Sequence, residues 1–202
     1  GSEIIDARQV LASELAAPIE AAYAAIAGED HHPELEWVLS VRGADPEDGD
    51  EAGSTTPIGA TAELFREALA HKRTAELERG LTLVGPHRDD LRLSIRGLPV
   101  KGYASHGESW SVALALRLAS AQLLRAESRS GDPVLILDDV FAELDAQRRA
   151  RLSELTAQFE QVIVTAAVWE DVPEALRLRT VRIENGRIVP DPSGPPDEAS
   201  GV

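Results

Sequence analysis

An α/β fold with a parallel-strand core and flanking helices, joined to a helical lobe, is what this 202-residue sequence predicts. Three observations carry that expectation. Pro133-Val134-Leu135-Ile136-Leu137 is a continuous apolar run, the pattern of a strand buried on both faces. A second apolar run, residues 162–164, follows a charged helical stretch at 145–158, the order that parallel strands joined by a helix require. Residues 6–27 and 111–127 are rich in Ala, Leu and Ile or Val at helical spacing. At about 150 residues per domain the length allows one domain or two small ones. A hydrophobic fraction of 43% is enough to build a core.

Taken in order, the helix expected over 6–27 contains Pro18, which should kink or break it. Leu35, Trp37, Leu39 and Val41 fall on one face at period two, so residues 34–41 read as a strand. Residues 43–57 are acidic and rich in Gly, Pro, Ser and Thr, the composition of a mobile loop. Helical spacing returns over 61–78, with Leu64, Phe65, Leu69 and Leu77 as its expected buried positions. Leu91, Leu93 and Ile95 alternate with polar residues before Gly97 turns the chain, a hairpin pattern. Beyond the second apolar run come a short helix at 172–176 and a hairpin at 181–189 around Asn185-Gly186. Residues 190–202 contain four prolines and little to bury, and read as a disordered tail. The expected division is a helical arm lobe at 1–80, a second lobe at 81–190 and the tail at 191–202.

Composition excludes several classes. Without cysteine there is no disulfide framework, thiolate zinc site or thiol nucleophile. No apolar run is read as approaching the roughly 20 residues of a membrane span, and no signal peptide is visible, so a cytoplasmic location with no membrane partner is expected. The chain has no methionine and begins Gly1-Ser2. It is therefore expected to be processed, or excised with a cloning remnant that stays outside fold reasoning. The net charge of −15 argues against general nucleic-acid binding. The sign is uneven, however: residues 29–51 hold nine acids and one base, whereas residues 72–101 hold seven bases and four acids.

The chemistry concentrates in two segments. In Val134-Leu135-Ile136-Leu137-Asp138-Asp139-Val140-Phe141-Ala142-Glu143-Leu144-Asp145, adjacent carboxylates end an apolar strand, at the edge where α/β sheets bind ligands. That arrangement suits magnesium-nucleotide chemistry, one carboxylate in the metal shell and the next polarising a water. The alternative is that Asp138-Asp139 caps the following element. Ser105-His106-Gly107-Glu108 opens the second long helix. Such a turn offers backbone N–H groups and a positive dipole end to an anion. The same S-x-x-E spacing is that of an ordinary capping box.

Together and in this order, about 30 residues apart, the two segments resemble the signature motif and Walker B strand of the ATP-binding-cassette branch of P-loop ATPases. Residues 141–145 resemble that branch's D-loop. A narrower resemblance rests on Thr82-Leu83-Val84-Gly85-Pro86-His87-Arg88-Asp89-Asp90-Leu91, on Tyr103-Ala104-Ser105-His106-Gly107-Glu108 and on the carboxylate segment. That series resembles the RecF family of bacterial replication and repair ATPases over residues 73–189.

The resemblance implies a lobe of an ABC/SMC-type P-loop ATPase domain with part of a helical arm. It also implies roles. Asp138 would hold Mg²⁺ through water and Asp139 would be the general base, in place of the usual Glu. Thr165 stands where cassette ATPases usually place a His, and would orient water weakly. Ser105, Gly107 and Glu108 would contact the γ-phosphate of ATP bound by a second subunit, so that ATP closes a homodimer, with Asp145 at its seam. Hydrolysis would be slow or dependent on DNA. The expected partners are single-stranded or gapped duplex DNA and RecO/RecR-type mediators, and the expected outcome is recombinase loading and SOS induction.

The Gly85–Asp90 turn has two readings: a tight turn in which Arg88 pairs with a neighbouring carboxylate, or a surface on which Arg88, Arg92 and Arg96 face DNA phosphates. His87 and His106 lack a third metal ligand at suitable spacing and read as turn residues. Neither of the two lysines, Lys72 and Lys101, lies in a G-x-x-x-x-G-K-[ST] loop. The family carries that loop near its N-terminus, so this chain is expected to be the C-terminal part of such a protein and inactive alone. Two other classes compete: a non-catalytic DNA- or mediator-binding fragment, and another ABC/SMC-type ATPase. The second needs long heptad arms, for which residues 6–27 and 61–78 are too short.

Overall fold

Helix α1 (Ser2–Ala27) buries Ile5, Leu15, Ile19, Ala22, Tyr23 and Ile26, a stripe at helical period. It ends on Gly28, whose φ of 76° suits the left-handed cap that glycine adopts without a Cβ penalty. The computed structural model describes residues 1–43, 60–129 and 131–189. The acidic segment (apart from Gly43) and the C-terminal tail named above lie outside the described residues. The chain divides into two compact units, Gly1–Gly131 and Asp132–Val202. Residue 80 falls within the first.

In the first unit α1 packs along α4 (His106–Glu127), which buries Val112, Leu114, Ala115, Leu118 and Ala119. The small Ala side chains let two helix backbones approach closely. Three expectations about α1 change. It runs through Pro18 as one helix, starting at Ser2 with Gly1 as its N-cap. Helix formation thus includes the pair set aside as a remnant, because the Gly1 carbonyl accepts from the N–H groups of Ile4 and Ile5. The third concerns membranes. By length and composition α1 is apolar enough to cross one, contrary to the sequence reading; its buried stripe packs against α4.

Strand β1 (Glu34–Val38) pairs antiparallel with β2 (Asp90–Ile95), which pairs with the short β3 (Leu98–Pro99). The first strand is shorter than the alternation predicts. Residues Ser40–Arg42 turn into a 3-10 helix because Ser40 is drawn inward to bond Asp89 and Gly85, as described below. A core of Ile5, Leu39, Val41 and Val84 forms there, with Trp37, Phe65 and Leu69 packed against it.

Helix α2 (Thr61–Arg79) corrects one buried position. Leu77 is 65% exposed, and the neighbouring Glu76 is buried instead, its Oε1 accepting the Leu83 N–H at 2.8 Å. A buried carboxylate needs such a partner. A single turn, α3 (Val100–Tyr103), leads into α4.

The second unit holds the parallel pair β4 (Leu135–Asp138) and β5 (Val162–Thr165), in register from Leu135 opposite Val162 to Asp138 opposite Thr165. They are joined through a 3-10 turn (Val140–Glu143) and α5 (Ala146–Thr156), a βαβ arrangement. The β4 run is not buried on both faces: Ile136 is 65% exposed, whereas Leu137 is buried. With Leu137, the residues Phe141, Leu144, Leu152, Phe159 and Val172 form the buried apolar set among this unit's described residues. The helix expected at 172–176 is instead two 3-10 turns, Trp169–Asp171 and Glu174–Leu176, separated by Pro173. The last hairpin, β6 (Arg182–Glu184) with β7 (Arg187–Val189), turns on Asn185-Gly186 as the sequence predicts. Both turn residues have positive φ, the conformation of a type I′ turn.

Candidate nucleotide and nucleic-acid site

Each unit carries its own part of the expected site. In the first, Ser105 is the N-cap of α4. Its hydroxyl accepts from the Glu108 N–H at 3.3 Å, and the Glu108 carboxylate accepts from the Ser105 N–H at 2.8 Å through Oε2. The capping-box alternative is therefore realised, and it does not exclude an anion site at the same turn. Gly107 lies in this first turn, its carbonyl accepting from the Ser111 hydroxyl at 2.8 Å.

The remaining Glu108 oxygen, Oε1, accepts from Arg96 Nη2 and lies 3.9 Å from His31 Nδ1. The Ser105 backbone N–H and then the Ser105 hydroxyl hold Glu108 below the usual glutamate range; burial opposes them, and the charges of Arg96 and then His31 add smaller downward pulls. It is ionised at neutral pH.

The Gly85–Asp90 turn is held from two directions. Asp89 Oδ1 accepts from both the N–H and the hydroxyl of Ser40, each at 2.8 Å, while that hydroxyl accepts from the Gly85 N–H at 2.9 Å. From α1, Arg8 Nη1 donates to the Pro86 carbonyl at 2.7 Å, and the same guanidinium lies 5.0 Å from the Trp37 ring centroid. Gly85 has φ 138°, and a Cβ there would crowd the His87 ring at 3.1 Å. The carboxylate that closes the turn thus serves Ser40. The Arg88 guanidinium has no hydrogen bond or ion pair with any described residue. Arg92 stands opposite Glu36 in the β1–β2 register, and Arg96 is bound to Glu108. Sequence reading missed Arg8, Ser40 and His31. Their partners are 78, 45–49 and 77 residues away, and no local pattern encodes such pairings.

In the second unit Asp138 ends β4, and Thr165 lies directly opposite it on β5. The Thr165 hydroxyl donates to Asp138 Oδ1. The Asp139 N–H is shared between the Thr165 carbonyl and hydroxyl oxygens, each at 3.1 Å. Thr165 therefore spends its one hydroxyl proton on Asp138. Asp139 sits at φ 53°, ψ 20°, a left-handed conformation that Asp tolerates better than most residues and that cost and function often share. Its exposed carboxylate has no hydrogen bond or ion pair with any described residue.

Six residues beyond Asp139, Asp145 caps α5. Its Oδ1 accepts from the Arg148 N–H at 2.9 Å and its Oδ2 from Arg148 Nη1 at 2.7 Å. The Arg148 backbone N–H, followed by the Arg148 charge, holds the Asp145 carboxyl below the usual aspartate range despite some desolvation. Arg149 fixes the turn from the other side, bonding the Leu144 carbonyl at 2.7 Å and Asp171 at 2.8 Å.

No family model matches the chain. Curated relatives do. It is 59% identical over 192 residues to the DNA replication and repair protein RecF of Leifsonia xyli subsp. xyli (strain CTCB07), covering 94% of this chain and 50% of that protein. It is 53% identical over 211 residues to RecF of Clavibacter michiganensis subsp. michiganensis (strain NCPPB 382), covering 100% and 52%. Among solved structures, the recombination mediator protein RecF-ATPrS in the RecFOR pathway matches with a TM-score of 0.66 and 28% identity, over 86% of this chain and 43% of that one. RecF-ATP of the same pathway matches with a TM-score of 0.66 and 26% identity, over 84% and 42%. The expected α/β, ABC ATPase-like fold is therefore the fold of these neighbours. Spanning about half the length of the curated relatives it matches, the chain belongs to the RecF family.

Proposed function

We propose that this chain supplies the signature turn, the carboxylate strand and the D-loop-like turn of a RecF-type DNA replication and repair protein that binds ATP and DNA. In this reading ATP closes a homodimer at gapped or single-strand/double-strand junction DNA. The complex then supports recombinase loading and SOS induction with RecO/RecR-type mediators in the cytoplasm. One observation carries it: the two carboxylates at the carboxyl end of β4, one tethered by Thr165 and one left exposed on a left-handed backbone.

The residues divide the work. Asp138 and Asp139 offer oxygen donors, the type a hard divalent cation takes. Asp138 would hold magnesium, which when bound supplies charge neutralisation for the phosphates. Thr165 keeps the Asp138 carboxylate in one orientation, a positioning role in place of a water-orienting one. Asp139, exposed and uncommitted, is the general base toward water. Ser105 and Gly107 present the N-terminus of α4 to a γ-phosphate on the second subunit, with Glu108 capping the same turn. Asp145 holds the seam turn through its cap on α5. Arg88 and Arg92 face DNA phosphates from the locally basic region.

The test uses the full-length parent protein. Asp139→Asn should retain ATP-driven dimerisation, measured by light scattering, while turnover falls by about 100-fold or more, the ordinary worth of a general base. Turnover equal to the parent's would remove Asp139 from that role.

A further inference from the structure

Glu108 holds an awkward position for a residue beside an anion site. Its carboxylate completes the cap of α4, yet an ionised side chain in the first helical turn opposes an incoming phosphate. The structure answers with a cation. Arg96, in the β2–β3 turn, donates from Nη2 to Glu108 Oε1. The Arg96 backbone is fixed as well. It sits at φ 53°, a conformation an arginine holds only when its surroundings impose it, and its N–H donates to the His31 carbonyl at 2.7 Å. His31 in turn lies 2.9 Å through Nδ1 from the hydroxyl of Tyr23, a fully buried residue of α1. In this pair the Glu108 side chain is 16% exposed and the Arg96 side chain 53%, so the contact keeps one side toward solvent.

We propose that Arg96 is the positioning residue of the signature turn: it cancels the Glu108 charge and holds that carboxylate in its capping geometry, so that α4 meets the terminal phosphate with a net positive end. Arg96 touches Glu108 and not the nucleotide. The inference rests on the reading of Ser105–Glu108 as a phosphate-facing turn, and it gives Arg96 a role inside the protein distinct from the DNA-facing one expected of the Arg88, Arg92, Arg96 series.

The experiment compares variants of the full-length protein for ATP-driven dimerisation by sedimentation and for nucleotide affinity with a fluorescent ATP analogue. Arg96→Ala should weaken the dimer at least about tenfold, the scale of a charge-assisted contact, without changing nucleotide affinity of the monomer. Arg96→Lys should recover most of the loss. Arg96→Ala combined with Glu108→Gln should also recover it, because Gln retains an oxygen for the Ser105 N–H and carries no charge. A double variant as impaired as Arg96→Ala overturns the charge-compensation role. So does an unimpaired Arg96→Ala when Ser105→Arg blocks the dimer. If Ser105→Arg also dimerises normally, the phosphate-facing reading itself has failed, and this inference falls with it.

Discussion

The N-terminus of α4 and the turn after β4 both carry acidic residues at the end of an apolar element, yet they are built on opposite plans. At α4 the polar groups answer one another: Ser105 and Glu108 cap reciprocally, and Arg96 takes the oxygen left over. After β4 the order stops one residue short. Asp138 is tethered by Thr165, whereas Asp139 keeps a strained backbone and a carboxylate with no partner among the described residues. A fully satisfied turn is suited to present a fixed field, and an unsatisfied carboxylate is suited to act on something that arrives. The difference separates residues that shape a site from those that react in it.

After the loss of turnover expected on removing Asp139 itself, the next largest effect tests the tether. Thr165→Val keeps the shape of the side chain and removes the hydroxyl, freeing Asp138. Loss of such a supporting hydrogen bond typically costs about 10–100-fold in metal affinity or activity. Magnesium-dependent turnover of the full-length protein should fall by that amount, and Thr165→Ser should stay close to the parent. A valine variant with unchanged magnesium dependence would show that Asp138 needs no tether, and the two turns would then differ less than their geometry implies.

A second test gives the two turns opposite signs in stability. Ser105→Ala removes a cap and should lower stability by about 1 kcal/mol. Asp139→Gly relieves a left-handed backbone and should cost nothing, or gain up to about 1 kcal/mol, while turnover is lost. Thermal unfolding of this 202-residue chain reads both. Equal losses from the two substitutions would mean that the Asp139 backbone is not strained in any sense that matters to the fold.

Local grammar made half of this contrast readable in advance. The S-x-x-E spacing announces the cap, the apolar run ending in Asp138-Asp139 announces the carboxylates, and Asn185-Gly186 announces its turn. Each signal lies within a few residues of its consequence. What stayed hidden was set by distant partners. Glu76 is buried in place of Leu77 because Leu83 offers it an N–H. Strand β1 stops early because Ser40 answers Asp89 and Gly85. Arg96 reads as one more cation in a basic stretch until α4 brings Glu108 beside it. Periodicity describes a face, and it is silent on which polar group will find that face from 45 residues away.

The smallest effect concerns acid, and it sets the α4 cap beside that of α5. Glu108 and Asp145 are both held below their ordinary ranges in the folded chain, so between the folded and unfolded values the unfolded chain binds more protons. Their contributions to stability are therefore present at neutral pH and are lost as the pH falls from the ordinary carboxylate range through the lowered values. Glu108→Gln and Asp145→Asn should each flatten the acid side of the stability profile, followed by thermal unfolding across that range. Salt should act alike on both. In each ion pair one side chain is 53% exposed, Asp145 in one and Arg96 in the other, so both pairings are screened. Each carboxyl is lowered first by a backbone N–H of its own cap, a short-range contact. Most of each acid slope should therefore survive high ionic strength. A slope at either cap that collapses in salt would mean that the ion pair, and not the cap hydrogen bond, holds that carboxyl down.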